Sequence, residues 1–332
     1  MRSGTALDRE SATNDPSIRT MEQADCHAVL TLLRETMGWD DDDRTQKFFH
    51  WKHHQNPFGP SPGWLGLDED GRIVAVRLMM RWQFDQAGTA VSAVRAVDTA
   101  THPSQQGKGW FTRLTMRAVD DLSEAGVDFV FNTPNDKSWP GYEKMGWVAA
   151  PSISVTVRPV FPRGLFRLTA AKQPADKWTD PVGGAPRAGD FLDAERPAIE
   201  RILAHRAIAG PETSRSFEYL RWRYGFEPLG YQMLSLGQAV DDGVIIYRAR
   251  NRGIAREVSV CELLTPTGND RSRVRLVRHA LADSGSDYAI ATGDTRRAGK
   301  FRVPGQSPNL VHRQLASTPI ATKMSLGDLE LF

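Results

Sequence analysis

The sequence predicts an α/β (α+β) protein built as two tandem domains, on three observations. Its 332 residues suit two domains of the usual ~100–200 residues. A run dense in turn formers, with Pro162, Gly164, Pro174, Pro181, Gly183, Gly184, Pro186 and Gly189, separates two stretches of mixed helix and strand patterns. A short motif also occurs on both sides of that run. Phe49-His50-Trp51-Lys52 precedes Asn56-Pro57-Phe58-Gly59, and Leu220-Arg221-Trp222-Arg223 precedes Glu227-Pro228-Leu229-Gly230. In each copy a Trp and a basic residue close a helix, and a Pro-x-Gly turn leads to a strand headed by Trp64 or Tyr231. Two copies indicate duplication at domain scale. The expected division is a flexible leader at 1–17, domains at 18–158 and 191–332, and a linker at 159–190.

The elements follow in order. Ala24 to Thr36 has Ala28, Val29, Leu32 and Leu33 at helical spacing, and Asp25 complements the helix N-terminus. Arg44 to His53 is a second helix. Strands are expected at Gly63–Leu67, Arg72–Phe84 and Thr89–Thr99, with turns at Asp70-Gly71 and Ala87-Gly88. Gly107 to Ala125 carries Phe111, Leu114, Ala118, Val119 and Leu122 on one helical face. Val127–Phe131 reads as a buried strand and Asp136–Met145 as a short helix. After the linker come helices at Phe191–Ala207 and Ser214–Tyr224. Strands then follow at Tyr231–Leu236, Gly243–Arg250 and Ala255–Leu264, a helix at Asn269–Ala282 and a strand at Asp287–Ala291.

Composition narrows the function classes. Hydrophobic residues make up 40% and charged residues 25%, which excludes a disordered, coiled-coil or collagen-like chain. No run approaches the ~18 apolar residues of a membrane span, and the polar N-terminus lacks a secretory apolar core. Cys26 and Cys261 belong to no CxxC or metal cluster, which fits a cytoplasmic protein without disulfides. Residues 1–158 hold 17 Lys+Arg against 21 Asp+Glu, and the remainder 25 against 19. The second half is therefore basic and suited to an anionic partner.

The stretch with chemistry in it is Val94 to Trp147. A strand enters the turn Gln105-Gln106-Gly107-Lys108-Gly109, and a helix follows. The glycines let successive amides point into one concavity, and the helix N-terminus adds partial positive charge, which together suit a pyrophosphate. The spacing fits neither GxxxxGK[ST] nor GxGxxG. After one helix and one buried strand come Asn132-Thr133-Pro134-Asn135 and then Tyr142-Glu143-Lys144-Met145-Gly146-Trp147.

This order of strand, amide-rich turn, helix, strand, Asn and Tyr-x-x-x-Gly-aromatic resembles the GNAT acyltransferase superfamily, across roughly residues 18–158. The resemblance implies two GNAT-like domains in tandem, each a mixed, mostly antiparallel sheet flanked by helices. It implies acetyl-CoA or another acyl-CoA as co-substrate and no metal. The pyrophosphate would lie on the backbone of Gln105, Gln106, Gly107, Lys108, Gly109 and Trp110. Pantetheine would lie along the backbone from Val97 through Thr99 to Thr101, touching Asn135 or, second, Asn132. Tyr142 would protonate the leaving thiolate, as a neutral phenol can. The family's Gln or Arg at the start of the turn is Ser104 here, which removes one side-chain contact. The second domain's turn, Leu264-Thr265-Pro266-Thr267-Gly268-Asn269, has no GxG, so that domain reads as degenerate.

For the general base, Asp98 is the best-placed carboxylate and His102 the alternative. Their bland readings are a strand-end residue bonded to local amides and a cap on the turn before Pro103. His50, His53 and His54 lack a third ligand at zinc spacing and read as a helix face. Asp40–Asp43 reads as a solvated helix start or a lure for a cationic acceptor. Arg248, Arg250, Arg252 and Arg256, with Arg271, Arg273, Arg275 and Arg278, read as a solvated face or a phosphate-tracking surface. There is no Ser-His-Asp pattern and no nucleophile elbow. The expected function is acetyl transfer to a primary amine of a small molecule by direct attack. The alternatives are an aminoacyl-tRNA-dependent transferase, with tRNA as partner, and a non-catalytic acyl-CoA-binding module.

Overall fold

The structure, a computed structural model, describes residues 15–171, 173–206, 210–237, 240–265, 270–302, 308–316 and 324–330. Most of the expected leader and the second-domain turn at 266–269 lie outside the described residues. In chain order the first elements are β1 (Ile18–Thr20), α1 (Cys26–Met37), α2 (Asp43–His54), β2 (Gly63–Leu67), β3 (Ile73–Gln86) and β4 (Thr89–Thr101). Then come α3 (Trp110–Glu124), β5 (Phe129–Asn132), α4 (Trp139–Lys144) and β6 (Val148–Ala149). The next are β7 (Thr156–Pro159), α5 (Arg163–Ala170), α6 (Ala188–Ala194), α7 (Arg196–Ala204), β8 (Glu212–Thr213) and α8 (Phe217–Gly225). β9 (Gln232–Ser235), β10 (Val244–Arg252), β11 (Ala255–Leu264), α9 (Asp270–Ser284) and β12 (Tyr288–Ala291) follow, then β13 (Phe301–Arg302), β14 (Val311–Gln314) and α10 (Leu326–Leu329).

Local chemistry sets the boundaries. The Asp42 carboxylate accepts from the Thr45 amide at 2.7 Å and starts α2. Ser216 does the same for α8 through Tyr219. The single helix expected at 191–207 is two helices, because Pro197 has no N–H to continue the ladder and starts α7 instead.

The chain forms two compact units. The first gathers residues up to 83, 91–150 and 310–320; the second gathers 84–90, 151–309 and 321–332. In the first unit the sheet runs β1-β2-β3-β4-β5-β14-β6, with β4 and β5 parallel. One face packs on α1 and α2 through Val29, Leu32, Leu33, Phe49, Leu65, Val76 and Leu78. The other packs on α3 and α4 through Trp64, Ala75, Met79, Val94, Leu114, Ala118, Leu122 and Tyr142. Each fully buried Leu or Val contributes roughly 1.5–3 kcal/mol. Trp110 sits so close to β2 that a Cβ on Gly66 would lie 2.6 Å from its ring.

The second unit has the order β13-β7-β12-β11-β10-β9, with β11 and β12 parallel and α9 between them in sequence. Its β9-β10-β11-α9-β12 run repeats the first unit's β2-β3-β4-α3-β5. The units also trade strands. β14, from the end of the chain, lies between β5 and β6, whereas β7, just after β6, pairs with β12 and β13. Contiguous boundaries therefore describe neither unit, and the stretch expected as linker contains α5 and the start of α6.

Candidate active site

The first unit's sheet opens at β4. Its parallel pairing with β5 spans Ala93–Arg95 against Phe129–Phe131 and then stops. From Ala96 to Thr101 the strand has no β5 partner, so Val97, Thr99 and Thr101 lie on the segment that diverges. Just beyond it, the Gln105 and Gln106 amides donate to His102 and Pro103 carbonyls within the turn. Among the described residues, nothing accepts from the amides of Gly107, Lys108, Gly109 or Trp110. Gly107 and Gly109 have φ of +79° and +77°, and a Cβ on either would meet nothing within 4 Å. Glycine is needed there for its backbone conformation, and the space in front is open. The cradle of free amides is thus narrower than expected, at 107–110, and stands at the N-terminus of the 15-residue α3 with the exposed Lys108 beside it.

Tyr142 is buried between Phe111 and Trp147. Its hydroxyl accepts from Nη2 of Arg77 at 2.7 Å. Arg77, in β3, is only 1% exposed and lies over the Tyr142 and Phe111 rings. With that donor on the oxygen, the phenolic proton is free to be given elsewhere. The sequence carries a signal for Arg77, a lone charge inside the apolar run Ile73–Met80. Asn135 is exposed, and its side-chain oxygen accepts from the Lys137 and Ser138 amides. Asn132, at the end of β5, is buried, and its Oδ1 has no hydrogen-bond partner among the described residues.

Asp98 is buried, and both its oxygens are engaged. Lys52 Nζ lies 3.0 Å from Oδ1 and 2.8 Å from Oδ2, and His53 Nε2 lies 2.8 Å from Oδ2. Burial alone would raise its pKa, but the Lys52 charge and the His53 bond hold the carboxyl far below the usual carboxylate range. A carboxylate so held is a weak proton acceptor. His53 passes on through Nδ1 to the Ser61 hydroxyl at 3.0 Å, and burial lowers its own pKa against the pull of Asp98. The fold thus assembles a Ser61–His53–Asp98 line that no linear spacing announces. Val94 and Ala96 pack on the α3 side, whereas Asp98 reaches α2 and Ala100 packs with α1 and α2. The alternation of β4 breaks between Ala96 and Asp98, which turns the carboxylate to the α2 face. His102 is the cap on the turn: its Nδ1 meets the Ser104 hydroxyl at 2.7 Å and amide at 3.3 Å.

Residues 17–150 match the family model described as the acetyltransferase (GNAT) domain. Residues 17–150 therefore form a GNAT-like domain. No curated protein matches the chain. Among solved structures it is similar to a probable N-acyltransferase from Enterococcus faecalis, at 13% identity and TM-score 0.63 over 90% of this chain and 72% of that one. It is also similar to a GCN5-related N-acetyltransferase from Anabaena variabilis, at 12% and 0.60 over 90% and 73%. Eis1 from Mycobacterium abscessus stands at 14% and 0.54 over 90% and 73%. At these identities the likeness is one of fold, and it extends past the GNAT domain into the second unit.

The remaining signals resolve into structure. In the GNAT domain His50 stacks on His54, and His54 meets Cys26. Asp41 pairs with Arg34, Asp42 caps α2 and Asp43 pairs with Lys47. In the second unit Arg248 is buried, Arg250 and Arg252 pair with Glu257, and Arg256 donates to the Ser284 carbonyl. That cluster is no phosphate-tracking surface. Arg271, Arg275 and Arg278 are exposed on α9. Burial pushes the Cys261 thiol well up, so it is inert. No described helix is long and apolar enough to cross a membrane.

Proposed function

We propose that the GNAT domain transfers an acyl group, most directly acetyl, from acyl-CoA to a primary amine of a small molecule. The observation that carries this reading is the row of unspent amides at Gly107–Trp110 directly behind the divergent half of β4. Those amides, the α3 N-terminus and Lys108 suit a pyrophosphate, and the unpaired β4 edge from Val97 to Thr101 suits a pantetheine arm bonding as a strand would. Asn132 Oδ1 is a buried acceptor in want of a donor, which favours it over Asn135 as the pantetheine contact.

Bound acyl-CoA supplies an activated thioester. The β4 amides near Val97–Thr99 polarise its carbonyl. The neutral amine attacks that carbonyl, the carbon–sulfur bond breaks and Tyr142 gives its hydroxyl proton to the departing sulfur. Arg77 fixes the phenol and stabilises the phenolate, which regains a proton as the new amide nitrogen sheds one. Asp98, clamped by Lys52 and His53, pins the diverging strand to α2 where β5 no longer supports it. The test is a panel of primary amines with acetyl-CoA, following free thiol and acetylated product together. Product with matching thiol release for at least one amine is expected. Thiol release without acetylated amine, or neither for any acceptor class, would count against it.

A further inference from the structure

A cavity of about 450 Å3 opens in the second unit between β7, the start of α5 and the C-terminal half of α9. Arg158, Arg163, Arg278 and Lys300 line it, with Phe161 and Leu281 among its apolar walls. None of the described lining residues is acidic. Arg163 is neutralised by Asp287 at 2.9 Å. Arg158 bonds the Gly299 carbonyl. Burial and the like charge of Arg278 lower its pKa, so its charge is held at a cost. Lys300 is exposed, with Nζ 4.8 Å from the Phe161 ring centroid and 5.1 Å from that of Phe301. Phe161 and Phe301 meet edge to face at 6.2 Å and are 51% and 44% exposed. Two open rings beside converging cations offer one ligand both an apolar and a cationic contact.

We propose that this cavity binds a small amphipathic anion, a carboxylate or phosphate group on an apolar body. The anionic group lies among Arg158, Arg278 and Lys300, where it relieves their mutual repulsion. The apolar body lies against Phe161 and Leu281. The second unit, which reads as having lost its own pyrophosphate turn, thus has a binding role independent of acyl transfer.

Isothermal titration of the full chain with octyl phosphate, octanoate and inorganic phosphate tests this. Saturable one-to-one binding is expected for at least one octyl probe, with inorganic phosphate at least about ten-fold weaker because it forgoes the apolar wall. Tighter binding of octyl phosphate assigns a phosphorylated ligand, and of octanoate a carboxylic acid. Arg278→Glu and Lys300→Glu, both at exposed positions, should each weaken binding about ten-fold or more, and their melting midpoints should match wild type. Absence of saturable binding, binding unchanged in both variants, or displacement of the probe by acetyl-CoA would overturn the proposal.

Discussion

The Tyr142 hydroxyl is held by Arg77 Nη2 at 2.7 Å, inside the core that α3 and α4 form on the sheet. One bond therefore ties the proposed proton donor to a charge buried in β3. Tyr142→Phe keeps the ring packing but removes both the proton and the oxygen that Arg77 needs. Turnover should fall about 10²–10⁴-fold, while the apparent affinity for acyl-CoA stays near wild type. The unpaired guanidinium should also cost roughly 1–3 kcal/mol of stability. Steady-state kinetics well below the melting midpoint separate the two effects. Unchanged turnover would remove Tyr142 from the chemistry.

Asp98→Asn separates an anchor from a base. Removing the carboxylate charge leaves the Lys52 ammonium buried without its counter-ion, which should cost about 3–5 kcal/mol and lower the melting midpoint by roughly 10 °C. A base would instead show a large loss of turnover with an unmoved midpoint. Calorimetry and kinetics on the same preparation decide between them.

Acid should weaken the fold through the same cluster. His53 has a folded pKa below its ordinary value, so its contribution is complete above about pH 6.5 and is lost as pH falls through the folded value. Asp98, also depressed, contributes fully above about pH 4 and loses that only under stronger acid. Stability should therefore fall as pH drops below about 6.5. His53→Gln should flatten that decline; His54 and His312, also lowered by burial, remain to act in the variant. Urea midpoints across pH 5 to 8, in both proteins, check this. Parallel curves would show that His53 does not carry the dependence.

In the second unit Arg215 bridges Glu262 at 2.8 Å and Asp328 at 3.0 Å, with all three side chains buried. Arg215→Met would leave two buried carboxylates facing each other and should cost about 3–5 kcal/mol. Asp328 lies in α10, which is buried throughout, so deleting the chain from Met324 onward should be at least as damaging. Denaturant midpoints measure both. A stable truncation would mean that this segment does not hold the core.

The local elements and the glycine turn before α3 were legible because each depends on near neighbours. Helical spacing in Phe111–Leu122, the Asp42 cap and the glycines at 107 and 109 act within a few residues. The strand exchange of β7 and β14 was not legible, since no local pattern says which sheet an edge strand will join. Arg77 and the Lys52–His53–Asp98 cluster were missed for a similar reason. Lys52 and Asp98 are 46 positions apart, and the break in β4 alternation that joins them is invisible to a period-two reading. The repeated basic residue was a real clue: Lys52 and its counterpart Arg223 are both buried at helix ends. Arg223 bonds the Gly327 carbonyl and the Tyr231 hydroxyl.

The proposed acyl-CoA site is tested most directly by thermal unfolding with and without saturating acetyl-CoA, in wild type and in Gly107→Val. Ligand at about 100 times its dissociation constant adds ~2.7 kcal/mol, which should raise the wild-type midpoint by roughly 5–10 °C. A valine at φ +79° is strained and distorts the amide cradle, so the variant should show little or no ligand-induced shift, whatever its starting midpoint. A wild type that does not respond to acetyl-CoA, or a variant that responds equally, would contradict the account.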